Sequence, residues 1–310
     1  MWNWQLGIEH STATRAGCMS HLETFNQYRS LLFAIAYRML GTVTDAEDMV
    51  QETFLRWQQT AEATVKSAKT YLATITTRLC IDHLRSAQVK REQYVGPWLP
   101  EPVITQQTDD PAAQVELADS LSMAFLVVLE RLSPIERAVF LLREVFDYDY
   151  DEIGQMVGKS PANCRQILRR SRQHVAAQRP RFPVSHQQQE QITAQFLEAL
   201  TQGNLQGLLA LLAKDATFWS DGGGQVTAAL KPLQGAMKVA RFLLAIRQKW
   251  LSTSITRLAE INGQPGMINL VDGCIDTVTT FDIVDGCIQS VYSVRNPEKL
   301  KRISKDAMLR

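Results

Sequence analysis

Leu132-Ser-Pro-Ile-Glu-Arg-Ala-Val-Phe-Leu-Leu-Arg-Glu-Val-Phe-Asp-Tyr-Asp-Tyr-Asp-Glu-Ile-Gly-Gln-Met-Val-Gly-Lys-Ser-Pro-Ala-Asn-Cys-Arg-Gln-Ile-Leu-Arg-Arg-Ser-Arg172 carries helix starts, a tight turn and an arginine-bearing last helix. Ser133, Pro134 and Glu136 predict a capped start: the hydroxyl accepts from an orphan N–H, proline fits the first helical position, and the carboxylate reaches back. A short helix over about Asp149 to Val157 stops at Gly158, which tolerates positive φ. Ser160-Pro161 then repeats the capping device. In the last helix Cys164, Ile167, Leu168, Ser171 and Val175 make the packed stripe, leaving Asn163, Arg165, Gln166, Arg169 and Arg170 outward. No acidic residue occurs from Ile153 through Gln189, a one-sidedness that a phosphate-facing surface needs. The pattern predicts a DNA-reading helix-turn-helix; a merely solvated basic helix would not need both caps and the charge skew.

The whole chain of 310 residues has a net charge of only +1, so this basic patch is balanced elsewhere. Length and 45% hydrophobic content suit two or three ordinary globular domains rather than a disordered chain. The five cysteines are odd in number, scattered and free of C-x-x-C pairing, which argues against a disulfide framework or zinc site and for a reducing cytoplasm. No run reaches membrane-spanning length, so no membrane partner is expected. Residues 1–20 read as a loose leader.

The N-terminal third predicts three helices. Leu31, Leu32, Ile35, Ala36, Met39 and Leu40 form one stripe ended by Gly41, and Thr44-Asp-Ala-Glu47 reads as a capping box opening a helix with Met49, Val50, Phe54 and Trp57 inside. That second helix carries Asp45, Glu47, Asp48 and Glu52. A third, from about Ser67 to Ser86, buries Tyr71, Leu72, Ile75, Leu79 and Leu84, and from Ala63 to Arg91 the only acid is Asp82. Chance segregation weighs evenly against function here, yet two single-sign faces fit two partners, a cationic protein and a polyanion.

The orders Tyr28-Arg-Ser-Leu-Leu-Phe-Ala-Ile-Ala-Tyr-Arg-Met-Leu-Gly41, Asp45-Ala-Glu-Asp-Met-Val-Gln-Glu-Thr-Phe-Leu-Arg-Trp57 and Tyr71-Leu-Ala-Thr-Ile-Thr-Thr-Arg-Leu-Cys-Ile-Asp-His-Leu-Arg85 resemble the first domain of bacterial extracytoplasmic-function sigma factors. The helix-turn-helix resembles their second domain. This resemblance implies that Asp45, Glu47, Asp48, Gln51 and Glu52 dock on the clamp helices of core RNA polymerase. It implies −10 strand capture by Arg78, Asp82, His83, Arg85, Lys90 and Arg91, and −35 reading by Asn163, Arg165, Gln166, Arg169 and Arg170. Opening a duplex without ATP requires pockets for unstacked bases and cations for the phosphates, which a polar, basic helix edge supplies. A lone exposed histidine such as His83 is more often just solvated.

Between these domains Val95-Gly-Pro-Trp-Leu-Pro-Glu-Pro102 opposes helix and predicts an extended linker. Its Trp98 suits docking into a groove or simple packing on the first domain. After Pro183 the texture changes to helices over Ile192 to Leu200 and Leu205 to Leu212, then strands at Ala216–Ser220, Ile255–Ile261, Met267–Leu270, Cys274–Val284 and Cys287–Arg295, with Asp272-Gly273 and Asp285-Gly286 as hairpin turns. This predicts an antiparallel meander curled into an α+β domain.

The fold expected is thus multidomain: two all-α domains, a region 2 bundle (21–92) and a region 4 helix-turn-helix (116–180), joined by a linker (93–115) and followed by a domain over 184–310. That last domain resembles the SnoaL-like (NTF2-like) cone, whose fusion to sigma domains marks one subgroup. Trp98-Leu99-Pro100-Glu101-Pro102, Asp221-Gly222-Gly223-Gly224 and Asn296-Pro297-Glu298-Lys299-Leu300 match that subgroup's hallmark motifs. Gln225 stands where the family usually has Lys, which removes a charge, and Glu298 where it usually has Asp. The resemblance implies regulation in cis, with the last domain holding the sigma domains silent while its final segment also aids polymerase engagement.

Catalysis finds little support. The segment from Gln187 onward has no histidine and a single tyrosine, Tyr292; Asp221 beside three glycines reads as a flexible loop rather than a base. No enzyme activity, cofactor or metal is expected, and a small-molecule ligand of the last domain stays open. The alternative is a helix-turn-helix regulator, with a ligand-binding or catalytic cone, acting without polymerase. The acidic face of Asp45 to Glu52 speaks against it.

Overall fold

The computed structural model describes residues 21–60, 65–91, 94–105, 121–176, 184–250 and 254–303, with backbone alone at 87–91, 176 and 248–250. The expected leader, the second half of the expected linker and the Lys90 and Arg91 side chains lie outside the described residues. Seven helices come first: α1 (His21–Leu40), α2 (Val43–Gln58), α3 (Ala68–Arg91), α4 (Met123–Leu129), α5 (Pro134–Glu144), α6 (Tyr150–Val157) and α7 (Pro161–Ala176). Their buried residues, from Phe25 and Trp57 through Phe140 to Leu168 and Val175, form one continuous apolar cluster. The two helical domains therefore pack directly on each other instead of standing apart at the ends of a linker.

Local chemistry explains most of the boundaries. Ser133 with Glu136 and Asp149 with Glu152 form reciprocal capping boxes at α5 and α6, and Gly158 ends α6 at φ 67°. Ser160 Oγ accepts from Asn163 N at 3.2 Å to open α7. At α2 the structure corrects the expectation. The helix begins one residue earlier, Thr42 makes no side-chain cap, and the Val43 N–H donates instead to the Glu101 carboxylate, 2.8 Å away. A linker residue 58 positions downstream caps it. The stripe of α3 is also shifted, since Thr76, Thr77 and Cys80 are buried while Ile75 and Leu79 are half-buried.

The last part opens with α8 (His186–Gln202) and α9 (Leu205–Leu211). Six strands follow: β1 (Leu212–Asp221), β2 (Leu233–Gln234), β3 (Ser254–Ile261), β4 (Gln264–Val271), β5 (Cys274–Val284) and β6 (Cys287–Val294). Helix α10 (Ala236–Trp250) separates β2 from β3, and α11 (Pro297–Leu300) comes last. Strand order is β2-β1-β6-β5-β4-β3. The meander β3 to β6 is antiparallel as expected, but β1 lies parallel to β6, pairing Trp219 with Tyr292 and Asp221 with Val294. A parallel partner has to come from far along the chain, so local pattern could not show it. The two hairpin dipeptides sit at φ 51° and 72°, and 51° and 78°, as primed turns require.

One sheet face packs on α8 to α10, with Phe196, Phe218 and Phe281 in its core and Phe242 half-buried beside them. The other carries Ile268, Val278, Tyr292 and Val294 against Leu99 of the linker and Met123 of α4. That second face clamps the linker between the sheet and the sigma-like helices.

Candidate functional site

The three hallmark motifs, far apart in sequence, converge on one buried hub. Asp221, at the end of β1, has no exposed surface. Its carboxylate accepts from Tyr94 Oη (2.6 Å), Leu99 N (2.9 Å) and Gly223 N (3.0 Å), and pairs with Lys299 Nζ at 2.7 Å. Lys299 Nζ also donates to the Leu99 carbonyl and stands 4.1 Å from the Trp98 ring centroid. Asn296 caps α11 through Glu298 N and donates to Tyr94 Oη at 2.9 Å. Burying a charged pair is tolerable only when the remaining lone pairs and protons are satisfied, as they are here. Burial raises the Tyr94 phenol, with the hydrogen bond to Asp221 adding to the effect.

The triple glycine is not the flexible loop that the sequence suggests. Gly223 sits at φ 62° and any Cβ there would collide with the Asn296 amide. The ion pair is supplied by Lys299 and not by position 225, where Gln225 is exposed. Asp221, the one base weighed on sequence, is thus held away from the cone interior, which aromatic rings fill. Asp282, pushed up to about 6 by burial, lies beside Tyr292, a residue of the face turned to the linker.

A second junction was missed by sequence reasoning. Asn262, buried at φ 54° in the β3–β4 turn, donates through Nδ2 to Tyr37 Oη (2.8 Å) and to the Leu121 carbonyl (3.1 Å), and accepts at Oδ1 from Val103 N (3.0 Å). One amide thereby ties α1, the linker and the approach to α4. Tyr37 passes the connection on, donating to the Glu101 carbonyl at 2.6 Å, while the Glu101 side chain holds the start of α2. Burial raises the Glu101 carboxyl, and the Val43 N–H, Arg302 and Lys299 oppose the shift. The only sequence signal was the Asn262-Gly263 dipeptide, which speaks of a turn and not of its side chain.

The acidic residues line α2 as expected: Glu47, Asp48 and Gln51 exposed, Asp45 and Glu52 half-buried. Two are already engaged, Glu47 with Arg302 beyond α11 and Glu52 with Arg56 at 2.8 Å. On α3, Arg78 donates to the carbonyls of Met156 (3.0 Å) and Gln155 (2.7 Å) at the end of α6, and Thr70 donates to Glu152 at 2.9 Å. His83 stands 3.7 Å from Asp45, and Arg85 is paired with Asp82 at 3.4 Å. Buried Arg137 of α5 donates to the Met39 carbonyl and to Glu130 (2.7 Å), a further tie between the helical halves. By contrast Asn163, Arg165, Gln166, Arg169 and Arg170 all face solvent along α7, with Arg165 stacked 4.8 Å from the Tyr150 ring centroid.

Two family descriptions match the helical part, "Sigma-70 region 2" over residues 24–89 and "Sigma-70, region 4" over residues 122–175. The chain is 35% identical over 286 residues to the ECF RNA polymerase sigma factor SigJ of Mycobacterium tuberculosis, spanning 89% of this chain and 91% of the relative. It is 31% identical over 276 residues to the probable ECF RNA polymerase sigma factor SigI of the same species, spanning 88% and 92%. The crystal structure of SigJ superposes with a TM-score of 0.73 at 32% identity, covering 90% of this chain and 98% of that one. Among the described residues no helix is long and apolar enough to cross a membrane.

Proposed function

Because the chain belongs to the extracytoplasmic-function RNA polymerase sigma factors, we propose that it is a promoter-specificity subunit which its own C-terminal domain, over 184–310, holds in a closed form. In this reading Asp45, Glu47, Asp48, Gln51 and Glu52 grip the polymerase clamp helices. Residues Arg78, Asp82, His83, Arg85, Lys90 and Arg91 serve the −10 strand, and Asn163, Arg165, Gln166, Arg169 and Arg170 the −35 duplex. The Trp98–Pro102, Asp221–Gly224 and Asn296–Leu300 segments form the regulatory lock, and no catalytic role is assigned to the last domain.

One observation carries the proposal: Arg78 is spent on the α6 carbonyls while the Asp221–Lys299 hub pins the linker that would have to extend. A domain pair closed this way cannot reach both promoter elements together. A closed form favoured by about 3 kcal/mol leaves roughly 1% of molecules open. Residues 21–176 keep a core of their own, so the sigma part can be tested after a cut following Pro183. Run-off transcription with core polymerase should rise at least about tenfold for the shortened chain, the equivalent of about 1.4 kcal/mol of released restraint. Removing Asn296 onward alone should lower output, because the tail also flanks α2 through Arg302. Asp48→Arg in either background should abolish polymerase-dependent output. If both truncated chains transcribe as the intact one does, the last domain is a passenger.

A further inference from the structure

A cleft of about 400 Å³ opens between α8 and the β3–β4 hairpin, apart from the hub, with Ala194, Leu258, Ala259 and Pro265 as its apolar walls. Its polar groups are one-sided. Glu190 and Glu260 line it with Thr193 and Gln191, and no lysine or arginine does. The nearest cation is His186, whose Nε2 lies 3.2 Å from Glu260 and whose Nδ1 lies 3.6 Å from Glu190. Even with that ring protonated, one negative charge remains. Thr193 has no exposed surface, and its Oγ1 lacks any hydrogen-bond partner. An unsatisfied hydroxyl of that kind costs about 1–3 kcal/mol, so it marks a place where a ligand group is missing.

We propose that this cleft is a binding site for a small amphipathic cation, a primary amine on a short apolar body. The ammonium would donate to Thr193 Oγ1 and the Glu190 and Glu260 carboxylates, and the alkyl part would cover Leu258, Ala259 and Pro265. An ammonium carries three donors and no acceptor, matching a wall of acceptors, whereas a carboxylate or phosphate ligand would meet like charge. The volume suits a ligand of this size. The site also sits at a sensitive point of the fold. The Glu260 carbonyl accepts from Thr105 N of the linker at 2.9 Å, and Asn262, two residues on, ties three segments together. Occupancy would therefore press on the linker contact, a consequence that rests on the autoinhibitory reading, whereas binding itself does not.

Ligand-observed NMR titration of the full chain with hexylamine, hexanoate and hexanol tests the site. Saturable hexylamine binding is expected, with hexanoate silent and hexanol weaker by about tenfold or more for lack of the charge. Thr193→Val and Glu190→Gln should each weaken hexylamine by about fivefold or more, and Glu190→Gln leaves the His186–Glu260 contact in place, so misfolding does not mimic the result. Hexanoate binding as well as hexylamine, an unchanged affinity in the Thr193→Val, Glu190→Gln double variant with a native circular dichroism spectrum, or no saturable binding would each overturn the proposal. Promoter output in the presence of hexylamine is read separately: binding without a change in output counts against the autoinhibitory reading and leaves the site standing.

Discussion

Helix α7 keeps its five outward polar residues in water, whereas helix α3 has Arg78 on the carbonyls of α6, His83 beside Asp45 and Arg85 on Asp82. The two basic helices carry comparable charge and similar proposed partners. They differ in what the rest of the chain asks of them. The −35 reader is presented, while the −10 helix doubles as a piece of internal scaffolding, so restraint falls on promoter opening and on the span between elements rather than on duplex contact itself.

Loss of the hub should erase this contrast most completely. Lys299→Met leaves Asp221 buried without its cation, which should cost about 3–5 kcal/mol in urea unfolding and free α3; adding Asp221→Asn should recover much of that loss. Equal stability of single and double variants would break the assignment. Next come the helices themselves. Arg78→Ala should cost about 1–2 kcal/mol of stability, discounted because the side chain is exposed, while Arg165→Ala should stay within about 0.5 kcal/mol. Binding to −35 duplex should reverse the order, with Arg165→Ala losing about 1–3 kcal/mol and Arg78→Ala little.

A smaller effect concerns pH. Asp282 titrates near 6 in the folded protein because burial disfavours its charge, so the native state binds the proton more tightly than the unfolded chain. Its contribution is fully present below the ordinary aspartate range and is lost as pH rises through about 6, with a size of about 2–3 kcal/mol. Asp282→Asn should flatten the stability curve between about pH 4 and 6, and an unaltered slope would contradict the burial of that carboxylate under the sigma-like helices. The smallest expected change is Arg302→Ala. It removes an exposed pair with Glu47, so the melting temperature should not move, and any gain in polymerase affinity should fade with added salt.

Legibility in the sequence followed the range of the interactions. Ser133, Asp149, Ser160 and the two Asp-Gly turns act within a few residues, and each did what its pattern dictates. The core stripes of α1 and α7 were equally local. By contrast the cap on α2 comes from Glu101, the parallel partner of β1 is β6, and Asn262 reaches Tyr37 across 225 positions. No periodicity encodes such contacts. The three hallmark motifs were recognisable singly by resemblance, yet their meeting through Tyr94 and the choice of Lys299 as the counter-charge emerge only from the folded chain.

Lys299 lies 78 residues beyond its partner Asp221, and β6, which completes the sheet beside β1, is itself among the last segments of the chain. A ribosome therefore releases the helical half, with its own core, well before the bolt exists. During each round of synthesis the nascent polypeptide passes through an interval in which its promoter-reading parts have emerged untethered, and only completion of translation shuts the molecule.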